Sequence, residues 1–195
     1  RSVFLSVCRQ IKQKGCRKTM NFAEYNVKDA NLEEVLLALK SLDTVEAVAL
    51  GGSRSTGASD ENSDYDIYVY CAEIPTAETR ENLLGKYCSI AEFGNHYWES
   101  EDNTVMNNGI PVDIIYREVD RFGRYIDTVI KGGKAFNGYT TAFWHNIKNS
   151  KVLFDKTGTF TKFRDMAQID FPENLRSAII KNNRNLLNGK LPSYD

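Results

Sequence analysis

The spacing of apolar residues divides the front of the chain into short helices and strands. Residues 32–42 carry apolar positions three and four apart, which predicts an amphipathic helix with Asn31 as its N-cap. Residues 45–50 and 64–71 are mostly apolar runs, the second rich in Tyr, Ile and Val, and each predicts a strand. Residues 76–90 again favour a helix, with a threonine at its start as the cap.

The region from residue 96 to residue 117 has the pattern of β-structure. Asn107, Asn108 and Gly109 separate two apolar runs, and Asn-Gly between such runs is a strong signal for a hairpin turn. Pro111 stands near the start of the second run. Because proline has no N–H for a sheet ladder, it indicates a strand that begins at an edge or a bulge.

Behind residue 118 the pattern becomes helical. Helices are predicted at about 118–131, 138–149, 158–168 and 172–188, with glycines and a proline as breakers between them. The sequence therefore predicts an α+β N-terminal part followed by an all-helical C-terminal segment.

Composition and charge narrow the class of protein. With 195 residues, 42% of them hydrophobic and 26% charged, the chain suits one ordinary soluble domain or a domain with a short appendage. A formal net charge of −1 argues against a general DNA- or RNA-binding protein, although a local basic patch stays open. The four cysteines lack zinc-like spacing, and no run approaches the roughly 20 apolar residues of a membrane span. We therefore expect a cytoplasmic protein with reduced cysteines and no membrane attachment.

The sequence suggests three segments. Residues 1–19 contain six basic residues and no acidic one, which we interpret as a non-native or disordered leader ahead of a natural start at Met20, with an organelle transit peptide as the alternative. Residues 20–117 form the predicted α+β domain. Residues 118–195 form a helical extension that we expect to continue into a longer C-terminal region.

Two aspartates open the second predicted strand, where charge beside a core is unfavourable. Side chains alternate along a strand, so Asp64 and Asp66 point to the same face, roughly 6.5 to 7 Å apart at the backbone. Carboxylates at that spacing repel each other and raise each other's pKa unless a cation lies between them. Mg²⁺ suits such a pair because it takes oxygen ligands and fills its remaining positions with water and phosphate oxygens.

A third acid and a glycine turn complete the pattern. Asp113 is embedded in the apolar run of residues 112–115, and it faces the same point if that strand neighbours residues 64–71. Gly51 and Gly52 follow the first strand and allow a ligand to approach the backbone closely. Each feature alone also fits a plain turn or a solvent-facing strand, but the combination predicts a metal-dependent phosphoryl-transfer site. The two histidines, His96 and His145, have no acidic or cysteine partner nearby in the sequence and are given no role.

Together these residues resemble the signature of the DNA polymerase β-like nucleotidyltransferase superfamily. That signature is an apolar strand, Gly-Ser or Gly-Gly, a short loop, Asp-x-Asp in a strand, and a third acid in a later strand. Here its elements are residues 50–53, 64–67 and 112–114. The variant Gly-Ser-Arg-Ser-x-Gly, followed by Ser-Asp-Tyr-Asp-Ile, is most similar to the bacterial branch of aminoglycoside adenylyltransferases and stand-alone nucleotidyltransferase-domain proteins.

The resemblance implies a fold and a set of roles. The fold is a small mixed β-sheet with helices on one side and the active site on its exposed face, followed by the helical C-terminal segment. The residues expected to bind the Mg²⁺ ions of a two-metal site and to act in catalysis, the last of them also as the base, are Asp64, Asp66 and Asp113. The residues expected to hold the triphosphate are Gly52, Ser53 and Arg54.

The implied reaction is transfer of a nucleoside monophosphate, AMP from ATP in the first instance, to a hydroxyl acceptor with release of pyrophosphate. A cationic aminoglycoside is one expected acceptor, and four acids ahead of the third-acid strand are candidate ligands for it: Glu92, Glu99, Glu101 and Asp102. A protein acceptor, as in toxin–antitoxin nucleotidyltransferases, and a catalytically silent nucleotide-binding module remain alternatives. A nucleic-acid substrate is disfavoured by the balanced charge. The oligomeric state is not predicted.

Overall fold

The computed structural model describes residues 27–57, 63–136 and 140–187, and describes side chains as far as residue 184. The leader expected at residues 1–19 lies outside the described residues. The described chain has α+β architecture, in agreement with the fold class expected from the sequence.

One mixed sheet organises the described residues. Its strands are β1 (Val45–Leu50), β2 (Tyr65–Cys71), β3 (Cys88–Asn95), β4 (Ser100–Met106), β5 (Pro111–Glu118) and β6 (Lys151–Asp155). The strand order is β3-β4-β5-β2-β1-β6. Strands β2 and β5 are parallel, and the other neighbouring pairs are antiparallel.

Seven α-helices lie within the same described ranges. They are α1 (Ala30–Lys40), α2 (Gly52–Thr56), α3 (Ala77–Leu84), α4 (Val119–Ile130), α5 (Ala142–Asn149), α6 (Thr159–Ala167) and α7 (Glu173–Leu187). A short 3₁₀ helix, Gly85–Tyr87, joins α3 to β3. None of the helices in the described ranges has the length and apolar character needed to cross a membrane.

Local signals explain where the first helix begins. The Asp29 carboxylate accepts hydrogen bonds from the backbone N–H groups of Asn31 and Leu32, at 2.9 and 3.3 Å. These bonds satisfy N–H groups that have no partner inside the helix, so the cap is Asp29 and not Asn31 as predicted, and α1 begins two residues earlier. The predicted apolar face is buried and packs against the sheet.

The sheet has a hydrophobic core on each face. Alternation along β2 sends Ile67 and Val69 into the core that α1 and α3 cover, and Tyr68 and Tyr70 into the core that α4 to α7 cover. Asp66 lies on the same face as Tyr68, beyond the end of that second core. The C-terminal helices thus pack on the face that carries the acids and leave its acidic end uncovered by their core.

Three elements differ from the sequence prediction. Residues 88–90, predicted as the end of a helix, form the start of β3 and pair with the end of β4. The segment predicted as all-helical contains β6, which pairs with β1 and extends the sheet. Pro111 is the first residue of β5, which lies inside the sheet and not at its edge, because a first residue can lack a ladder N–H without cost.

Candidate functional site

Asp66 and Asp113 face each other across the two parallel strands. In the register of β2 and β5 they are direct partners. Directly opposed residues of neighbouring strands share a face, so both carboxylates point to the same side of the sheet. Asp64 stands one position before β2 and is exposed. The structure therefore brings together the three aspartates that the sequence singled out.

The electrostatics of Asp66 reflect this crowding. Burial raises the pKa of its carboxyl above the ordinary aspartate value, and the negative charges of Asp64 and then Asp113 raise it further. The Asp113 carboxylate accepts a hydrogen bond from the Asn103 side-chain amide at 2.9 Å. That bond fixes the orientation of Asp113 toward its neighbours on the same face.

The glycine turn packs directly on Asp66. The Gly51 N–H donates to the Asp66 carbonyl at 2.8 Å, and Gly52 has φ +59°. A Cβ on Gly52 would lie 1.7 Å from Asp66 Oδ2, and one on Gly51 would lie 2.3 Å from the Tyr68 ring. Both positions therefore require glycine, the second also for its left-handed backbone. The turn leaves open the space in which the Asp66 carboxylate lies.

The other two residues expected at the triphosphate differ in their surroundings. Ser53 lies in α2 and lines a cavity beside the turn. The Arg54 guanidinium donates to the carbonyl oxygens of Ser63 and Asp64 and stacks over the Tyr65 ring, 4.0 Å from its centroid. Arg54 thus links α2 to the two residues that precede β2, and these hydrogen bonds hold the backbone that carries Asp64.

The donor set fits a magnesium ion bound together with phosphate. In the described ranges no three His, Cys, Asp or Glu side chains form a preformed metal-binding group. Two facing aspartates, a third beside them and the raised pKa of Asp66 nevertheless supply carboxylate oxygens that gain from a cation. Mg²⁺ takes few protein carboxylates and completes its shell with water and phosphate oxygens, so an incomplete protein shell suits it.

The four acids considered as acceptor ligands separate into three groups. Asp102 is fully buried on the opposite face in an ion pair with Arg80, 3.3 Å between Oδ1 and Nη2, so it is unavailable to an acceptor at this site. Glu99 accepts from the buried Arg117 at 2.9 Å. Glu101 and Glu92 stand on the site face, since Glu92 pairs with Asn103, the residue bonded to Asp113.

Helix α5 contributes residues that the sequence did not mark as functional. A cavity of about 220 Å³ lies between α2 and α5, beside the glycine turn. Its lining residues are Gly52, Ser53, Ser55, Thr56, His145, Asn146 and Asn149. Apart from their polar character, nothing in the sequence marked the α5 residues as part of a site. Their proximity to the glycine turn depends on the pairing of β6 with β1.

The chain was compared with protein-family models, curated proteins and solved structures. The family model described as "Nucleotidyltransferase domain" matches residues 32–136. None of the curated proteins matches the chain. Solved structures to which the chain is similar include a toxin–antitoxin structure with AMP-PNP, at 14% identity and a TM-score of 0.44, with 80% of this chain and 95% of that chain covered. Another is Cid1 in complex with its short product ApU, at 18% identity and a TM-score of 0.35, covering 62% of this chain and 39% of its own.

The family match includes the strand before the glycine turn, the turn itself, and both facing aspartates. It spans more than half of the chain. The protein belongs to the nucleotidyltransferase domain family and is an enzyme of that class.

Proposed function

We propose that this enzyme transfers AMP from ATP to a hydroxyl group of a cationic small molecule, of the aminoglycoside kind, and releases pyrophosphate. The observation that carries the proposal is the register that sets Asp66 opposite Asp113 beside the Gly51–Gly52 turn. Acids alone would suit many metal sites. Acids beside a turn that admits a ligand to the backbone suit a phosphate-bearing one.

In the proposed reaction the acceptor oxygen attacks the α-phosphorus of ATP. The bond from that phosphorus to the oxygen bridging the β-phosphate breaks, and pyrophosphate leaves with the electron pair. The hydroxyl proton passes to the Asp113 carboxylate, which the Asn103 amide holds in place. The residues that would hold Mg²⁺ are Asp64, Asp66 and Asp113. When bound, the metal supplies positive charge that offsets the charge of the phosphate oxygens.

The acidic strands next to Asp113 support a cationic acceptor. Glu101 lies on β4, and burial raises the pKa of its carboxyl, with further increases from Asp113 and then Glu99. Negative charge is therefore concentrated on this part of the face, where a protonated amine is favoured. Glu92 extends the same acidic surface onto β3. Asn95 and Asn103, joined by a 2.6 Å hydrogen bond, provide neutral polar groups between them.

The proposal is tested by presenting labelled ATP, GTP, CTP and UTP with Mg²⁺ to aminoglycosides, lincosamides and lysate proteins. We expect label from ATP on an aminoglycoside, dependent on Mg²⁺ and abolished in Asp64→Ala and Asp66→Ala. Label on a protein would replace the acceptor by a protein hydroxyl. Absence of label from every acceptor, while the folded protein binds nucleotide and metal, would contradict the transfer reaction.

A further inference from the structure

Strand β3 carries one extra residue shortly before its end. Glu92 pairs with Asn103 on β4. Asn95, three residues later in β3, pairs with Glu101, which is only two residues from Asn103. Gly94 lies in between with φ +84°, the left-handed conformation found in one class of β-bulge. Since side chains alternate along a strand, the extra residue returns Asn95 to the face of the sheet that carries Glu92 and the catalytic acids.

The bulge is held from the opposite face of the sheet. The Gly94 N–H donates to the buried Asp102 Oδ1 at 2.9 Å, and the same carboxylate pairs with Arg80 at 3.3 Å. A Cβ on Gly94 would lie 2.9 Å from Ala77 Cβ in α3, so the position requires glycine for space as well as for its backbone. These contacts fix the conformation of the extra residue and, with it, the direction of Asn95.

Asn95 begins a chain of side-chain hydrogen bonds that ends on Asp113. The Asn95 amide donates to Asn103 Oδ1 at 2.6 Å, and the Asn103 amide donates to Asp113 Oδ1 at 2.9 Å. The three residues lie on the neighbouring strands β3, β4 and β5. Because an ionised carboxylate only accepts hydrogen bonds, Asn103 must turn its NH₂ group toward Asp113 and its oxygen away. That oxygen then needs a donor, and Asn95 supplies it.

We propose that Asn95 is a positioning residue for the transfer reaction, which acts through Asn103 to fix the orientation of Asp113. The inference rests on the proposed function, in which Asp113 is the base and would hold Mg²⁺. Loss of the Asn95 donor leaves the Asn103 amide free to rotate and to turn its oxygen toward the Asp113 carboxylate. Residues that orient a metal-binding side chain typically change activity or metal affinity by about 10- to 100-fold when they are replaced.

The experiment measures kcat and acceptor KM for transfer of AMP to an aminoglycoside, and the Mg²⁺ concentration needed for thermal stabilisation in the presence of ATP. Asn95→Ala is expected to lower kcat about tenfold, to leave the acceptor KM unchanged and to raise the Mg²⁺ requirement. Asn95→Asp keeps the shape of the side chain but accepts where the amide donated, so Asn103 turns its oxygen toward Asp113 and kcat falls about 100-fold. Asn95→Gln keeps a donor and is expected to recover part of the loss.

A double-mutant cycle tests whether Asn95 acts through Asn103. Once Asn103→Ala has removed the link, Asn95→Ala should lower kcat no further. Asn107→Asp is the matched control, because it makes the same change of charge at an exposed asparagine whose amide donates to the Lys86 carbonyl at 3.0 Å, outside the chain of bonds. This variant is expected to keep the wild-type kcat and Mg²⁺ requirement.

Three results would overturn the role of Asn95. They are wild-type kcat in Asn95→Ala, effects of the two alanine substitutions that multiply, and a raised acceptor KM with unchanged kcat, which would make Asn95 a ligand of the acceptor. Failure of the proposed function is distinct, since the wild type then transfers no AMP. In that case the Mg²⁺ requirement decides, and equal values for Asn95→Asp and wild type overturn the inference. If Asn95→Ala fails to fold, the comparison of Asn95→Asp with Asn95→Gln replaces it.

Discussion

Replacement of Gly52 by alanine tests how closely the glycine turn and Asp66 depend on each other. Gly52 has φ +59°, a conformation that costs an alanine roughly 1 to 2 kcal/mol. Its Cβ would also lie 1.7 Å from Asp66 Oδ2, whereas real Cβ contacts stay above 3.0 Å. Either the turn or the Asp66 carboxylate must therefore move by more than 1 Å.

A movement of that size acts mainly on activity. A displacement of about 1 Å in a reacting group lowers turnover by about 100-fold, because the geometry of attack is lost. We expect Gly52→Ala to lower the rate of nucleotide transfer by about that factor and to lower the free energy of unfolding by about 1 to 2 kcal/mol. Label transfer measures the first quantity and urea unfolding the second.

Gly158→Ala separates backbone strain from the contact with Asp66. Gly158 has φ +70° and nothing within 4 Å of an added Cβ. It follows β6 at the end of the sheet opposite the glycine turn, since Leu50 pairs with Lys151 while Ala47 pairs with Asp155. This variant is expected to lose similar stability and no activity. If Gly52→Ala retains wild-type activity, or if both variants lose activity equally, the coupling between turn and carboxylate is refuted.

Two further predictions concern buried charge. The raised pKa of Asp66 means that the folded chain binds its proton more tightly than the unfolded chain, so wild-type stability falls as pH rises from the ordinary aspartate pKa through the raised one. Asp66→Asn should therefore increase the melting temperature more at pH 7 than at pH 4 and abolish stabilisation by Mg²⁺; an equal increase at both pH values would contradict this. Asp102→Ala should cost about 3 to 5 kcal/mol because it leaves Arg80 buried without its partner, whereas Glu101→Ala on the opposite face should change stability little. Similar losses in urea unfolding would show that the two acids have equivalent surroundings.

Part of the acidic site could be predicted from the sequence because Asp64 and Asp66 are close together in the chain. Alternation along a strand predicts the shared direction of Asp64 and Asp66 from their spacing alone. Asp113 shares a site with these two aspartates only if its strand lies next to theirs. No local sequence pattern specifies which strands become neighbours. Resemblance to a family supplied that pairing, and the parallel register of β2 and β5 confirms it.

The parts that were missed depend on long-range packing. Strand β6 has five residues between two helices, too few for a periodic signal, and only its pairing with β1 identifies it. Helix α5 is followed directly by β6, so the pairing of β6 with β1 brings α5 close to the glycine turn. The residues near His145 are therefore distant from it in the sequence. Asp102 was included among the candidate acceptor ligands for a related reason, since its ion-pair partner Arg80 lies on α3, far from it in the sequence.

We propose that the segment after residue 136 is part of the folding unit that carries the site, and removal of this segment tests the proposal. A chain cut there loses β6, so β1 becomes an exposed edge, and the core on the acidic face loses these buried side chains: Phe143, Trp144, Ile147, Val152, Phe160, Phe163 and Leu175. Each contributes about 1.5 to 3 kcal/mol by burial, and the total of about 10 to 20 kcal/mol is as large as a typical net stability of about 5 to 15 kcal/mol. We expect residues 27–136 to show no cooperative thermal transition, whereas residues 27–187 unfold cooperatively. A folded, nucleotide-binding 27–136 fragment would show that the matched family segment is sufficient and that α5 is dispensable for binding.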